Sequence, residues 1–174
     1  SRLAESDLAS AVPLKRCSSR FKDLATPLVA NAVSRMNTKW RDAAHKFGIR
    51  GAARITGALE RNEVFTTLDL SGCGIEPAVA ATLGNALKVN LTNLVLVNNN
   101  IGDKGAAALA SALRVNEVLT ELNISRNVVN DIGSEGAAAI GEALRGNKVL
   151  KSIDLRWNSL GGREGEKVIR DAVG

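Results

Sequence analysis

The side chains that could do covalent chemistry are few: one histidine, His45, two cysteines, Cys17 and Cys73, and no tyrosine in 174 residues. His45 has no serine, cysteine or second histidine near it in the chain, which leaves no Ser/His/Asp or Cys/His grouping for nucleophilic catalysis. No phosphate-cradling glycine loop, paired carboxylates or cofactor fingerprint appears, so no catalytic residue, cofactor or metal site is expected. Two cysteines and one histidine cannot supply a zinc site of Cys and His alone, and they form no disulfide framework. Recognition is the chemistry left, and Arg126, Arg156 and Trp157 beside Asp154 are the best residues for it, since Trp and Arg dominate binding hot spots.

Those four residues belong to a repeat. Four segments align without gaps, beginning at Phe65, Leu91, Leu119 and Leu150, with starts 26, 28 and 31 residues apart. The second reads Leu91-Thr-Asn-Leu94-Val-Leu96-Val-Asn-Asn99-Asn-Ile101, and the others match it at the apolar positions. Asn99, Asn127 and Asn158 recur five residues after the first strand aliphatic, with Cys73 in their place in the first copy. A glycine-bearing turn and an Ala-rich stretch at helical spacing follow each segment, with Leu83/Leu87, Leu109/Leu113, Ile140/Leu144 and Val168/Ala172 as matching positions. Residues 51–62 supply one more such helix, belonging to a degenerate repeat.

This pattern resembles the leucine-rich repeat, and its length and Ala-rich helices are similar to the ribonuclease-inhibitor type. The resemblance implies an α/β solenoid, a horseshoe segment with a parallel β-sheet on its concave face and helices on its convex face. Leu68, Leu70, Leu94, Leu96, Leu122, Ile124, Ile153 and Leu155 are expected to face inward, so each repeat buries its apolar face only against the next. The recurrent asparagines are expected to satisfy backbone groups that the turn leaves orphaned, and Cys73 to pack as a small hydrophobe.

Residues 1–50 read differently. They carry ten Lys/Arg against four Asp/Glu, net +6, whereas residues 51–174 carry thirteen against fourteen, net −1. Phe21, Leu24, Leu28, Ala32, Met36, Trp40, Ala44 and Phe47 follow at three- or four-residue steps, a helical face whose start is expected near Thr26 because of Pro27. The division is therefore a basic helical N-terminal cap over 1–50 and leucine-rich repeats over 51–174, four clear and one degenerate. Trp40 and Phe47 are expected to cover the open edge of the first repeat, and Trp40 falls at the register of a strand leucine. The alternative is that the same face docks on another protein.

The concave-face positions follow from strand alternation, and Val95, Val97, Asn98, Arg126, Asp154, Arg156 and Trp157 are the candidate partner-binding residues. Val95 and Val97 are expected to make an exposed apolar strip, and the lengthened loop at Val128-Val129-Asn130-Asp131 to be a rim contact. The expected function is a non-enzymatic protein-interaction module or scaffold, binding a protein partner or subunits of a larger assembly. Two alternatives have their own signatures. The repeat type includes activators of the Ran GTPase, although the acidic tail of that family is lacking. A nucleic acid or acidic surface could instead bind Lys15, Arg16, Arg20 and Lys22, with steep salt dependence, but only five aromatic residues leave little for base stacking. Nucleic acid is accordingly not the expected partner. Neither a membrane-spanning run nor an export signal is seen, and the cysteine usage points to an intracellular, cytoplasmic setting.

Overall fold

A computed structural model describes residues 31, 34–42, 46, 55, 66–86 and 91–173. Four strands, β1 (Thr67–Asp69), β2 (Asn93–Val95), β3 (Glu121–Asn123) and β4 (Ser152–Asp154), alternate with four helices, α1 (Pro77–Ala86), α2 (Gly102–Leu113), α3 (Ser134–Gly146) and α4 (Arg163–Val173). The strands form one parallel sheet in the order β1-β2-β3-β4, with Leu68, Leu94, Leu122 and Ile153 in register. Each helix packs on the helix of the next repeat. This is the leucine-rich-repeat architecture that the periodicity predicts.

Three-residue strands are short because only the central residue and its neighbour two positions on point into the core. Leu68, Leu70, Leu94, Leu96, Leu122 and Ile124 are buried, and they pack with Leu83, Leu109, Leu113 and Ile140 in one continuous cluster. Alanine and glycine on the helices permit close approach. A Cβ on Gly136 would lie 2.7 Å from an Asp103 oxygen and 3.1 Å from the Ala106 Cβ, so this position admits no side chain without a shift.

The recurrent asparagines do what a turn requires. Asn99 Oδ1 accepts the N–H groups of Cys73 and Ile75, while its Nδ2 donates to the Leu70 and Val97 carbonyls. Asn127 accepts from Ile101 N–H and donates to the Leu96, Ile124 and Ser125 carbonyls; Asn158 accepts from Asn127 N–H and donates to those of Ile124 and Leu155. Each amide thereby joins its own turn to the preceding repeat. Cys73 occupies the same register and is buried, its thiol 3.6 Å from the carbonyls of Arg41 and Ser71.

At the edge of β1, residues 34–42 are helical, and Met36 and Trp40, two residues of the expected helical face, join the core cluster from that helix. A helix presents side chains to an adjacent strand where a strand would present its backbone. Asn37 Oδ1 accordingly accepts the Asp69 N–H at 3.3 Å, and Arg41 pairs with Asp69 Oδ2 at 2.6 Å. The rest of the expected apolar face, with Phe21, Leu24, Leu28, Ala32, Ala44 and Phe47, lies outside the described residues. So do the start near Thr26, the basic group Lys15, Arg16, Arg20 and Lys22, His45, Cys17, Leu87 and the helix over 51–62 apart from Ile55.

Candidate binding face

Where each strand ends, the backbone turns out of the sheet through one residue of positive φ. Gly72 (φ 66°), Asn98 (56°), Arg126 (60°) and Trp157 (63°) occupy equivalent positions. Only glycine takes this left-handed conformation at no steric cost; for an L side chain it costs about 1 kcal/mol or more. Asn98, Arg126 and Trp157 are therefore turn residues and not strand residues, and all three are exposed.

The position three residues earlier, in the register Asp69, Val95, Asn123 and Asp154, stabilises this exit. Asp69 Oδ1 accepts Ser71 N–H at 2.9 Å and Ser71 Oγ–H at 2.6 Å, and Asn123 Oδ1 accepts Ser125 N–H at 3.0 Å and Ser125 Oγ–H at 2.7 Å. Asp154 Oδ1 accepts the Arg156 N–H and Nε–H, both at 3.0 Å, and Arg156 Nη2 donates to Oδ2 at 2.8 Å. These hydrogen bonds from Arg156 hold the Asp154 carboxyl below the usual carboxylate range, so it is charged at neutral pH.

Val95 is the apolar member of that register. It and Val97 are half-buried, not an exposed strip. β2 is an interior strand, and neighbours about 4.8 Å away on either side, Asp69 and Asn123 flanking Val95, cover much of each side chain.

Arg126 and Trp157 do come together: the Arg126 guanidinium carbon lies 5.4 Å from the centre of the Trp157 ring. Such a cation–π contact at an exposed site contributes about 0.5–1 kcal/mol. Arg156 turns the other way, onto Asp154. The cluster expected around Trp157 is thus two adjacent pairs, Arg126 with Trp157 and Arg156 with Asp154.

The lengthened loop adds apolar surface beside them. Val129 is 82% exposed, Val128 62% and Trp157 67%, three of the four large hydrophobic side chains most open to solvent among the described residues. Asp131 Oδ1 accepts the Ser159 N–H at 2.9 Å, which ties this loop to the turn carrying Trp157. Asn130 Nδ2 donates to the Asn100 carbonyl at 3.0 Å and anchors it on the other side. The result is a rim of aromatic, aliphatic and cationic groups on a fixed backbone.

Two further sets of positioning residues were not among the expected ones. Asp103, on α2, accepts the Gly133 and Gly136 N–H groups with one oxygen at 2.7 and 2.8 Å and so covers the start of α3. Asn116 and Asn147 each accept two N–H groups in the turn that leads into the next strand. Their signal was present in the sequence, since Asn62, Asn116 and Asn147 all stand three residues before an aligned segment. Among the described residues no group of three His, Cys, Asp or Glu side chains could hold a metal ion, and no helix is long and apolar enough to cross a membrane.

Residues 61–78, 88–110 and 115–141 match the leucine-rich-repeat family model. Mouse leiomodin-3 is 37% identical over 67 residues, which cover 37% of this chain and 12% of the relative. Mouse leiomodin-2 is 38% identical over 72 residues, covering 40% and 13%. The match spans about an eighth of the length of these curated relatives. A solved structure of leiomodin-1 actin-binding site 2 superposes with a TM-score of 0.61 at 28% identity, covering 72% of this chain and 74% of that one. The tropomodulin C-terminal domain of Caenorhabditis elegans has the same fold, with a TM-score of 0.62 at 14% identity over 81% of this chain and 90% of that domain.

Proposed function

This chain is a leucine-rich-repeat protein, and we propose that it works as an intracellular, non-enzymatic protein-binding module whose partner is actin, engaged through the concave face and the adjoining rim. One observation carries the reading. An exposed tryptophan stands at a turn position where the first repeat has glycine, and it is held against Arg126 beside two open valines. A strained, solvent-exposed aromatic contributes nothing to the core, whereas rigid Trp and Arg side chains are the anchors of protein interfaces. The similarity to a solved leiomodin-1 structure described as actin-binding site 2 supports actin as the partner. In this reading Trp157 and Arg126 are the anchor, Arg156 and Asp154 give the charged rim its specificity, and Val95, Val97 and Asn98 extend the contact along the end of β2 and the turn after it.

Binding of a fluorescently labelled protein to monomeric actin tests this. The Trp157→Ala/Arg126→Ala/Arg156→Ala variant should bind at least about tenfold more weakly while keeping the circular dichroism of the parent. Equal binding by parent and variant would move the contact elsewhere on the molecule, and no binding by the parent would remove actin as the partner.

A further inference from the structure

The loop between β3 and α3 departs from the register of the other repeats. Five positions after the second core residue of each strand segment stands an aliphatic residue: Ile75 after Leu70, Ile101 after Leu96 and Leu160 after Leu155, all buried. In the third copy Val129 stands five positions after Ile124, and it is 82% exposed. Its place in the core is taken by Ile132, three residues on and fully buried. A glycine follows Ile132 as one follows Ile101 and Leu160. Helix contacts mark the same shift, since a Cβ on Gly105 would meet Ile101 Cγ2 at 2.7 Å and one on Gly136 would meet Ile132 Cγ2 at 2.8 Å. The third repeat is three residues longer than the second, and this excess is looped out at the rim with Val128 and Val129 in it.

The backbone of this loop is fixed from both sides. Gly102 N–H donates to the Asn130 carbonyl at 2.9 Å, and Asn130 Nδ2 donates to the Asn100 carbonyl at 3.0 Å. The Asn130 amide lies against Gly102, in the space that a Cβ there would need. On the other side Asp131 Oδ1 accepts the Ser159 N–H at 2.9 Å, and the Ile132 carbonyl accepts that of Leu160 at 2.8 Å. The repeats before and after thus hold the loop, while its two valines stay in water. β-Branched side chains on an ordered loop have little freedom to lose on burial, so the surface they offer is already set for binding. A projecting apolar pair fits an apolar recess in a partner surface. Asp131 ties the loop to the turn that carries Trp157, which makes the valines continuous with the Trp157/Arg126 rim, so one partner covers both.

We infer that Val128 and Val129 form a preset apolar knob that enters an apolar recess on actin, and that Asn130 and Asp131 are the positioning residues that hold it. The inference rests on the actin reading above and adds to it the shape and chemistry of the surface recognised.

Titration of the labelled full chain with monomeric actin tests both parts. Val128→Thr/Val129→Thr keeps the β-branched shape and removes apolar surface; it should bind about tenfold or more weakly, with the thermal unfolding of the parent because both side chains are exposed. Asp131→Ala frees the Ser159 N–H and should weaken binding by about two- to tenfold. The same change made in the double-threonine variant should cost nothing further, as expected of a residue that acts through the valines. Asp131→Asn keeps an acceptor oxygen and should restore binding, and amide exchange at Ser159 should quicken in Asp131→Ala but not in Asp131→Asn. Undiminished binding by the double-threonine variant would overturn the knob and leave the actin reading standing. An Asp131→Ala loss that persists in the double-threonine background would overturn the positioning role. A parent that does not bind actin would overturn both readings together.

Discussion

Arg126 stacks on Trp157 at 5.4 Å, and both residues hold left-handed backbone conformations that Gly72 holds in the first repeat. The repeat geometry imposes the conformation, and the two side chains are what these later copies add. This separates stability from binding at one position. Trp157→Gly should be more stable than Trp157→Ala by about 1 kcal/mol, since glycine relieves the strain and alanine does not. Both should lose the proposed actin binding to the same extent. Urea denaturation together with the binding assay gives the comparison, and an alanine variant more stable than the glycine one would contradict the backbone account.

The ladder asparagines should differ in what their removal costs. Asn127 is fully buried, and its amide donates to three carbonyls and accepts one N–H. Asn127→Ala leaves several buried backbone groups unpaired and should cost about 2–4 kcal/mol. Asn158 is half-buried at the edge repeat, where water can replace the lost bonds, and Asn158→Ala should cost about 1–2 kcal/mol. Chemical denaturation of the two variants would show this order; equal losses would mean that burial does not set the cost.

The core was readable in the sequence because aliphatics two apart in a strand and three or four apart in a helix report burial directly. Leu94, Leu96, Leu109 and Leu113 are all buried as their spacing requires. The candidate binding residues were legible only as positions. Alternation placed Val95 and Val97 outward, but their cover comes from side chains 26 to 28 residues away in neighbouring repeats, which alternation does not describe. Trp40 fits both the helical spacing of its own segment and the register of a strand leucine, and it lies in a helix. Asp103 was unreadable for a related reason. Its partners are the backbone of Gly133 and Gly136 in the next repeat, and a backbone donor leaves no mark on composition.

Glycines on the helices should respond to alanine according to what they face. At Gly136 a Cβ meets Asp103, Ile132 and Ala106 at 2.7 to 3.1 Å and disturbs the oxygen that covers the start of α3. Gly136→Ala should therefore cost about 1–3 kcal/mol. At Gly84 the closest atoms, Ala108 O and Ala112 Cβ, are 3.4 Å away, close to ordinary contact. Gly84→Ala should be neutral or stabilising by up to about 1 kcal/mol, through helix propensity. Thermal unfolding of both variants would read the contrast, and similar shifts in melting temperature would contradict it.

Cys73 should make stability fall in alkali. Burial raises its thiol from an ordinary 9.0 to about 11, which outweighs the opposing effect of Arg41 nearby. The folded state thus keeps a proton that the unfolded chain gives up, and unfolding is favoured as pH rises between those two values. The contribution is intact below pH 9 and is lost progressively up to about pH 11. Other groups titrate in this range, so the measurable quantity is the difference between the parent and Cys73→Ala. That difference should shrink as pH rises from 8 to 11, by about 1.4 kcal/mol per pH unit at most. In a Cys17→Ser background, Cys73 should also react with a thiol reagent at pH 8 only at the rate at which the protein opens. Fast reaction of the folded protein, or a pH-independent difference between parent and variant, would show that the thiol is not held in the core.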